Sequence, residues 1–252
     1  MVDFVGAGCG APDLITLRGQ KLLSQADVII YAGSLVNPEL LNYAREDCEI
    51  YNSALIHLDE IIEVMKRAES EGKNTVRLHT GDPSIYGAIR EQMDRLDELG
   101  IRYNVTPGVS SFCGAAAALN AEYTLPDVSQ TVILTRMAGM TPVPEKESIE
   151  SLAAHKASMV IFLSTGMLAE LSERLIAGGY SSETPAAIVY KATWEDEKVV
   201  RCTVGQLAES ARRNGIIKTA LITVGDFLGD YHQLSKLYDK DFETEFRKAD
   251  KI

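Results

Sequence analysis

Three glycine-bearing loops could bring backbone groups and small polar side chains to a ligand. Their sequences are "GAGCGAPDLITLRG" from Gly6, "HTGDPSIYG" from His79 and "TPGVSS" from Thr106. Glycine lets the backbone approach a ligand closely, and a helix that starts after such a loop offers N–H groups to it. The second loop also carries Asp82, whose carboxylate could cap the helix that follows or face a cationic ligand. We expect noncovalent ligand binding from these loops, although the first could also be only a tight turn.

These loops differ from the common nucleotide-binding motifs. The first has glycines at positions 6, 8 and 10, giving G-x-G-x-G. Dinucleotide sites have G-x-G-x-x-G and an acid about 20 residues later. The second predicted strand ends instead in Tyr31, Ala32 and Gly33. The sequence also lacks G-x-x-x-x-G-K-S/T, which excludes a P-loop.

Cysteines and histidines are scattered along the chain. No Cys-x-x-Cys and no His-x-x-x-His pair occurs among the four residues of each type. The scattered positions indicate neither a disulfide framework nor a structural zinc site. We therefore predict no protein-bound metal.

Composition and charge limit the possible partners. The 252 residues suit two compact domains, and 46% hydrophobic with 24% charged residues is typical of a folded protein. The net charge of −11, from 25 basic and 36 acidic residues, disfavours nucleic acid as a partner. The longest apolar runs are far shorter than the roughly 20 residues that span a bilayer, so no membrane partner is expected. The start "MVDFVGAG" has an acid where a signal peptide has Lys or Arg, which favours a cytoplasmic location.

Short apolar strands alternate with helical stretches in the first half of the chain. Strands are predicted at "VDFVGAG", "DVIIYAG", "EIYNS", "NTVRLHT" and "IRYNVTP". Helices are predicted over residues 12–25, from residue 38, and over residues 58–71, 84–99 and 114–118. This alternation predicts βαβ units and a mostly parallel sheet, with the three loops at its carboxyl edge, where α/β proteins bind ligands.

The second half predicts another α/β domain, with a mixed sheet. After a break at "TLPD", strands are predicted at "QTVILTR", "SMVIFLST", "AAIVYKA", "KVVRCTV" and "TALITVGDF". A short acidic turn joins the third and fourth of these strands and predicts a hairpin. We divide the chain into an N-terminal domain, residues 1–115, and a C-terminal domain, residues 116–252. The charged tail from Tyr231 is expected to be a surface segment.

Four motifs, in the same order along the chain, resemble one family. "VGAGCGAPDLITLRG", "RLHTGDPSIYG", "TPGVSS" and "TALITVGDF" are similar to the S-adenosylmethionine-dependent tetrapyrrole methylases of corrin and sirohaem synthesis. Within that family, "YAGSLVNPELL" and "TRMAGMTPVPEKE" most resemble the members that methylate C11 of precorrin-4 or its cobalt form. The resemblance implies two α/β domains with the active site in the cleft between them. It also implies C-methylation in cobalamin biosynthesis, a tetrapyrrole substrate and a homodimer.

The resemblance assigns residues to the methyl donor, S-adenosylmethionine. The implied cofactor-binding residues come from five motifs and are Thr80, Gly81, Asp82, Ile85, Ser110, Ser111, Leu163, Ala192 and Ala220. The usual first loop of the family is Gly-Pro-Gly-Asp-Pro, whereas Cys9 replaces the first Pro here and Ala11 replaces Asp. This departure makes Asp82, in the second loop, the candidate catalytic residue.

The implied substrate carries many carboxylates, so local basic groups must offset the negative net charge. Arg136 is the preferred carboxylate clamp, since it directly follows a predicted strand. Lys191, Arg18 and Lys21 are further candidates, although Arg18 and Lys21 are expected on a solvated helix face. Other candidate substrate-binding residues are Gly8, Cys9, Tyr86 and Met140, of which the last two could equally be core residues.

Other functions remain open at this point. A family member could act on another ring carbon, or on a different acceptor as diphthine synthases do. The chain could also be a regulatory module that binds S-adenosylmethionine without transferring a methyl group. Both precorrin-4 and its cobalt form are candidate substrates.

Overall fold

A computed structural model describes residues 1–33 and 35–248, which form two compact units. The first unit contains Met1–Ala117 together with Lys191–Glu197, and the second contains Ala118–Tyr190 and the chain from residue 198 onward. Ser34 of the "YAGSLVNPELL" segment and residues 249–252 of the predicted tail lie outside the described residues. The domain division at residue 115 stays a prediction.

The first unit is built on a parallel sheet, as predicted. Its strands are β1 (Val2–Gly6), β2 (Val28–Tyr31), β3 (Glu49–Asn52), β4 (Thr75–His79) and β5 (Tyr103–Thr106). They are arranged in the order β3-β2-β4-β1-β5, and every pairing is parallel. Strand β1 therefore lies between β4 and β5, and the loops that leave these strands start from neighbouring positions at one edge.

The helices of the first unit pack on this sheet. They are α1 (Leu17–Gln25), α2 (Leu58–Ser70), α3 (Arg90–Glu98) and α4 (Ser111–Leu119), with 3₁₀ turns at Pro12–Leu14 and Pro38–Tyr43. In α2 the apolar residues that recur at helical spacing are buried, namely Ile61, Ile62, Met65 and Ala68. Glu60 accepts a hydrogen bond from the backbone N–H of His57 at 2.9 Å and so helps to cap this helix.

The helix predicted over residues 84–99 is wrong in its first third. It begins only at Arg90, because the chain before it turns through left-handed conformations at Tyr86 (φ 54°) and Ala88 (φ 48°). Gly87 packs closely there, since a Cβ on it would lie 2.9 Å from the carbonyl carbon of Pro83. Asp82 is therefore not the cap of α3.

Two basic side chains lie buried on one face of β4. Arg77, 5% exposed, donates to Gln92 Oε1 at 3.0 Å and to the carbonyl of Ile30 at 3.1 Å. Burial lowers the pKa of Arg77 to about 10. Burial, and then the charge of Arg77, lower the pKa of His79 to about 3, so His79 is neutral at ordinary pH. Its Nε2 has no hydrogen-bond partner within the described chain.

The second unit contains the predicted mixed sheet. Its strands are β6 (Val132–Arg136), β7 (Ser158–Phe162), β8 (Pro185–Tyr190), β9 (Lys198–Thr203) and β10 (Ala220–Val224), in the order β6-β7-β10-β8-β9. Only the β6–β7 pair is parallel among the pairs in the described residues. Strands β8 and β9 form the predicted hairpin. Helices α5 (Ile149–Ala153), α6 (Leu168–Ala177) and α7 (Leu207–Arg213) pack on the sheet around buried Met159, Ile161, Leu171 and Ile188.

The helices of the described chain are short. None of them is long and apolar enough to cross a lipid bilayer. Residues 231–248 are exposed apart from the partly buried Thr244.

Candidate functional site

The loops that follow β1, β4 and β5 meet through glycine backbone. A Cβ on Gly6 would lie 2.5 Å from Gly108 Cα and 2.6 Å from the carbonyl oxygen of Gly81, and a Cβ on Gly108 would lie 2.7 Å from Gly6 Cα. Gly8 and Gly81 also exchange backbone hydrogen bonds, at 3.2 Å from Gly8 N and 2.9 Å from Gly81 N. Gly81 has φ +60°, a conformation that favours glycine. Side chains at Gly6 and Gly108 would push the loops apart.

Asp82 joins the second loop to the third. Its Oδ2 accepts a hydrogen bond from the backbone N–H of Gly108 at 2.9 Å. Its Oδ1 accepts from the N–H of Ser84 at 2.9 Å and from the Ser84 hydroxyl. Burial raises the pKa of Asp82, but the hydrogen bonds from Ser84 and Gly108 lower it, and the net pKa is below the ordinary Asp value. The carboxylate is therefore ionised at neutral pH.

The start of helix α4 lies beside Gly81. A Cβ on Gly81 would be 3.4 Å from both Ser110 Cα and the backbone nitrogen of Ser111. Ser110 is 6% exposed, and its carbonyl accepts from Cys113 N at 3.0 Å as the first bond of the helix. The fold thus brings together the candidate residues at positions 80–82, 110 and 111.

Thr80 and Ile85 complete the second loop. The Oγ1 of Thr80 is buried and has no hydrogen-bond partner among the described residues. Buried polar atoms in native proteins almost always have a partner, so this hydroxyl is suited to a ligand. Ile85 is partly buried, and its N–H donates to the carbonyl of Asp82 at 3.2 Å, which closes the turn.

The first loop is held by two residues that the sequence analysis does not name. Asn37 Nδ2 donates to the carbonyl of Gly10 at 3.0 Å, while Thr193 Oγ1 accepts from Ala11 N at 2.9 Å. Asn37 directly precedes Pro38 and caps the 3₁₀ turn, which the Asn-Pro pair indicates, but its contact with Gly10 has no sequence signal. Thr193 lies in the acidic turn between β8 and β9 and carries no signal either.

Four further candidates differ in their exposure. Ala192 is buried and belongs to the first unit, where its carbonyl would lie 2.5 Å from a Cβ on Gly10. Cys9 is 5% exposed, and the hydroxyl of Thr193 donates to its Sγ at 3.5 Å. Tyr86 is 46% exposed and Met140 is fully exposed, so neither is a core residue.

The candidates of the second unit share one edge of its sheet. Arg136 ends β6 and pairs in register with Phe162 of the parallel strand β7, and Leu163 follows Phe162 directly. Ala220 begins β10, which is antiparallel to β7, so it lies at the same edge. The Oγ1 of Thr165 bonds both backbone groups of Ala220, at 3.1 Å to O and 3.4 Å to N.

Leu163 has an unusual conformation for an apolar residue. Its φ is +53° and it is 62% exposed at the end of a buried strand. Strained backbone of this kind concentrates at ligand-binding sites. Leu163 is therefore placed to present its backbone and side chain outside the core of the second unit.

The basic candidates differ in their surroundings. Arg136 donates to the carbonyls of Met137 at 3.0 Å, Thr141 at 3.2 Å and Pro142 at 2.8 Å, and so shapes the loop that carries Met140. Lys191 pairs with Asp196 at 2.6 Å. Arg18 and Lys21 are exposed on α1, as expected of a solvated face.

Metal-binding side chains do not gather in the described chain. Within residues 1–33 and 35–248, no group of three or more His, Cys, Asp or Glu side chains could hold a metal ion.

Comparison with known proteins gives closely matching relatives. A cobalt-precorrin-4 C(11)-methyltransferase of Methanocaldococcus jannaschii is 56% identical over 251 residues, covering 99% of this chain and 97% of that protein. A precorrin-4 C(11)-methyltransferase of Pseudomonas aeruginosa is 44% identical over 227 residues, covering 90% of each chain. The X-ray structure of a cobalamin biosynthetic enzyme, cobalt precorrin-4 methyltransferase, matches with a TM-score of 0.89 and 48% identity, covering 91% of this chain and 96% of that one.

The family comparison agrees with the motifs. The family model described as Tetrapyrrole (Corrin/Porphyrin) Methylases matches residues 1–208. With its glycine loops joined at the edge of a parallel sheet, this chain belongs to the tetrapyrrole (corrin/porphyrin) methylases.

Proposed function

We propose that this chain transfers a methyl group from S-adenosylmethionine to C11 of precorrin-4 or cobalt-precorrin-4, in cobalamin biosynthesis. The relatives that match over nearly the whole chain carry these names. The observation that carries the proposal is the junction of the three glycine loops, because it forms a backbone-lined site beside the start of helix α4.

The residues of the junction fit S-adenosylmethionine. The buried hydroxyl of Thr80 has no partner in the described chain, Gly81 leaves space that a side chain would fill, and Ser111 lies at the start of a helix, the end at which helices favour negatively charged groups. Ser110, Ile85 and Ala192 complete the proposed set in the first unit, and the family resemblance adds Leu163 and Ala220 of the second. When bound, S-adenosylmethionine supplies an electrophilic methyl group on a sulfonium.

Asp82 is the proposed catalytic residue. Its carboxylate stays ionised and offers about four acceptor positions, so it can bind Ser84 and Gly108 and still face a cation. A negative charge fixed by two loops favours a bound sulfonium and fixes its orientation. Methyl transfer to an electron-rich carbon needs chiefly such positioning and the exclusion of water, with no nucleophilic side chain.

The proposed substrate-binding residues are exposed or lie on the first loop. Tyr86 and Met140 offer apolar area to a large ring, and Gly8 and Cys9 lie next to the glycine junction. Arg136 is the proposed carboxylate clamp. A guanidinium has five N–H donors, so it can hold the carbonyls of its loop and a substrate carboxylate together.

The proposal extends to assembly and location. A homodimer follows from the family resemblance, and sedimentation equilibrium tests it. The net charge of −11 supports the absence of a nucleic-acid partner. A cytoplasmic location, without a membrane partner, is the expectation for a biosynthetic enzyme of this family, and cell fractionation tests it.

Product analysis tests the proposed reaction. The protein is incubated with S-adenosylmethionine carrying a ¹³C-labelled methyl group and with precorrin-4 or its cobalt form. We expect the mass of one added methyl and a single labelled carbon at C11 by NMR. Label at another carbon would reject the C11 assignment. Binding of S-adenosylmethionine without transfer to either ring would support a non-catalytic module.

A comparison of kcat/KM for the two rings decides between them. The ring with the higher kcat/KM is assigned as the substrate. Equal values of kcat/KM would show that the protein does not discriminate between the cobalt-containing and the metal-free ring.

A further inference from the structure

The turn between β8 and β9 packs on the first glycine loop. Lys191–Glu197 belongs to the first unit, although the strands on either side of it belong to the second. A Cβ on Gly10 would lie 2.5 Å from the carbonyl oxygen of Ala192 and 2.6 Å from Trp194 Nε1. The loop and this turn are therefore in direct contact, and only glycine fits at position 10.

Thr193 makes the polar contacts between the two segments. Its Oγ1 accepts a hydrogen bond from the backbone N–H of Ala11 at 2.9 Å and donates to Cys9 Sγ at 3.5 Å. This one hydroxyl therefore pairs with the N–H of Ala11 and fixes the side chain of Cys9, two residues earlier in the loop. Ala11 is separated from Thr193 by 182 residues of sequence.

The backbone of the turn is strained around this contact. Thr193 has φ +69° and Lys191 has φ +46°. A β-branched residue rarely adopts the left-handed region, and such outliers persist where surrounding contacts enforce them. Here the carboxylate of Glu197 accepts from Thr193 N at 2.6 Å, and Lys191 both pairs with Asp196 at 2.6 Å and lies 5.0 Å from the ring centre of Trp194.

The first loop is thus held at separate points. Gly8 is joined to Gly81 at the glycine junction, Gly10 is joined to Asn37, and Ala11 and Cys9 are joined to Thr193. The Gly8 contact joins the loop to Gly81, which is proposed to bind the methyl donor. The Thr193 contact fixes Cys9, which is proposed to face the ring.

We propose that Thr193 is a positioning residue that fixes Cys9 and Ala11 of the first loop and thereby the macrocyclic substrate. This inference rests on the proposed function for the identity of the substrate. The Thr193 hydroxyl bonds Ala11 and Cys9, neither of which is proposed to bind S-adenosylmethionine, so its removal changes ring binding and leaves S-adenosylmethionine binding intact.

Thr193→Val tests the proposal, because valine keeps the shape and the β-branch and removes the hydroxyl. We expect KM for the tetrapyrrole to rise at least about fivefold, the factor for one hydrogen bond left unmade. The Kd for S-adenosylmethionine, measured by calorimetry, stays within about twofold, since the substitution removes no proposed contact with S-adenosylmethionine. Thr193→Ser keeps the hydroxyl and restores KM. The matched control is Thr184→Val in the second unit, which removes a hydroxyl that accepts from Ser181 N at 3.0 Å and leaves KM unchanged.

Amide hydrogen exchange at Ala11 tests the contact without turnover. We expect faster exchange at this N–H in Thr193→Val and wild-type exchange in Thr193→Ser and Thr184→Val. Unchanged exchange and KM in Thr193→Val would overturn the proposal, and so would a Thr193→Ser variant as impaired as Thr193→Val. If Thr193→Val does not fold, Glu197→Gln, which weakens the bond at Thr193 N, is measured instead and should change the same readouts in the same direction.

The two proposals fail in different ways. A wild-type protein that methylates neither ring contradicts the proposed function, while the exchange of Ala11 still decides whether Thr193 holds the loop. An active wild type with unaltered Thr193→Val contradicts only the positioning role.

Discussion

Asp82 Oδ2 accepts a hydrogen bond from the backbone N–H of Gly108 at 2.9 Å. These residues belong to the loops after β4 and β5, and β1 lies between those strands. The carboxylate therefore joins the loops that follow two strands, β4 and β5, which are not neighbours in the sheet. Its other oxygen is bonded within its own turn, to Ser84.

Asp82→Ala should lose most methyl transfer while the fold persists. Without the carboxylate, Gly108 N–H and Ser84 lose their acceptor and the proposed charge next to the sulfonium disappears. We expect kcat/KM to fall by at least about tenfold, equivalent to ~1.4 kcal/mol. The unfolding free energy should fall by about 1 kcal/mol, as for a lost cap. Asp94→Ala, which removes a surface partner of Arg90, is the control. Wild-type turnover in Asp82→Ala would show that the Asp82 carboxylate only stabilises the turn and has no part in methyl transfer.

Gly108→Ala should separate the loops. The added methyl would lie 2.7 Å from Gly6 Cα and would also clash with the carbonyl oxygen of Gly81. Both are backbone atoms, so the clash could be relieved only by a shift of the backbone. We expect a loss of about 2 kcal/mol or more in unfolding free energy, within the range for overpacked cores, measured by urea unfolding. Gly166→Ala is the matched control, because a Cβ added at Gly166 would meet no atom of the described chain within 4 Å beyond its own neighbours. Equal stability of the two variants would contradict the close glycine contact.

Buried His79 should make stability depend on pH in the acid range. The unfolded chain binds a proton on this residue below about pH 6.5, whereas the folded protein does so only near its lowered pKa of about 3. Unfolding therefore takes up a proton between these values, and the unfolding free energy decreases as the pH falls, by at most about 1.4 kcal/mol per pH unit. His79→Gln should reduce this slope in urea titrations. His155→Gln, at an exposed position, should keep it.

Arg136→Ala should weaken ring binding specifically. The change removes the donors that hold the carbonyls of residues 137, 141 and 142 and those proposed for a substrate carboxylate. We expect KM for the tetrapyrrole to rise by about tenfold or more and the Kd for S-adenosylmethionine to stay unchanged. Arg136→Lys keeps the charge without the planar fork and should recover only part of the loss. Arg213→Ala, which breaks a surface pair with Glu209, is the control. An unaltered KM in Arg136→Ala would rule out the clamp.

The sequence predicts the sheets better than the loops between them. Apolar runs such as "VIIY" and "ALITV" mark β2 and β10 because burial on a sheet selects them locally. The helix predicted from residue 84 begins only at Arg90 because Tyr86 and Ala88 take left-handed conformations, which residue propensities do not encode.

Long-range partners explain most of what the sequence could not predict about the site. Asp82 has the local signal of a cap, yet one of its partners is Gly108, 26 residues away. Thr193 has no local signal at all, since its partners Cys9 and Ala11 lie in another part of the chain. Glycine motifs indicate that the backbone of a loop is closely approached. Which loop approaches it follows only from the order of the strands in the sheet.

The contact among Gly6, Gly81 and Gly108 consists of main-chain atoms, which amino-acid replacement elsewhere leaves in place. The close approach of these strand ends therefore depends on the absence of side chains at Gly6 and Gly108. If the proposed roles hold, a lineage that keeps the glycines can diverge at Tyr86 or Met140, the proposed ring contacts, and accept a differently shaped ring without altering the proposed methyl-donor site.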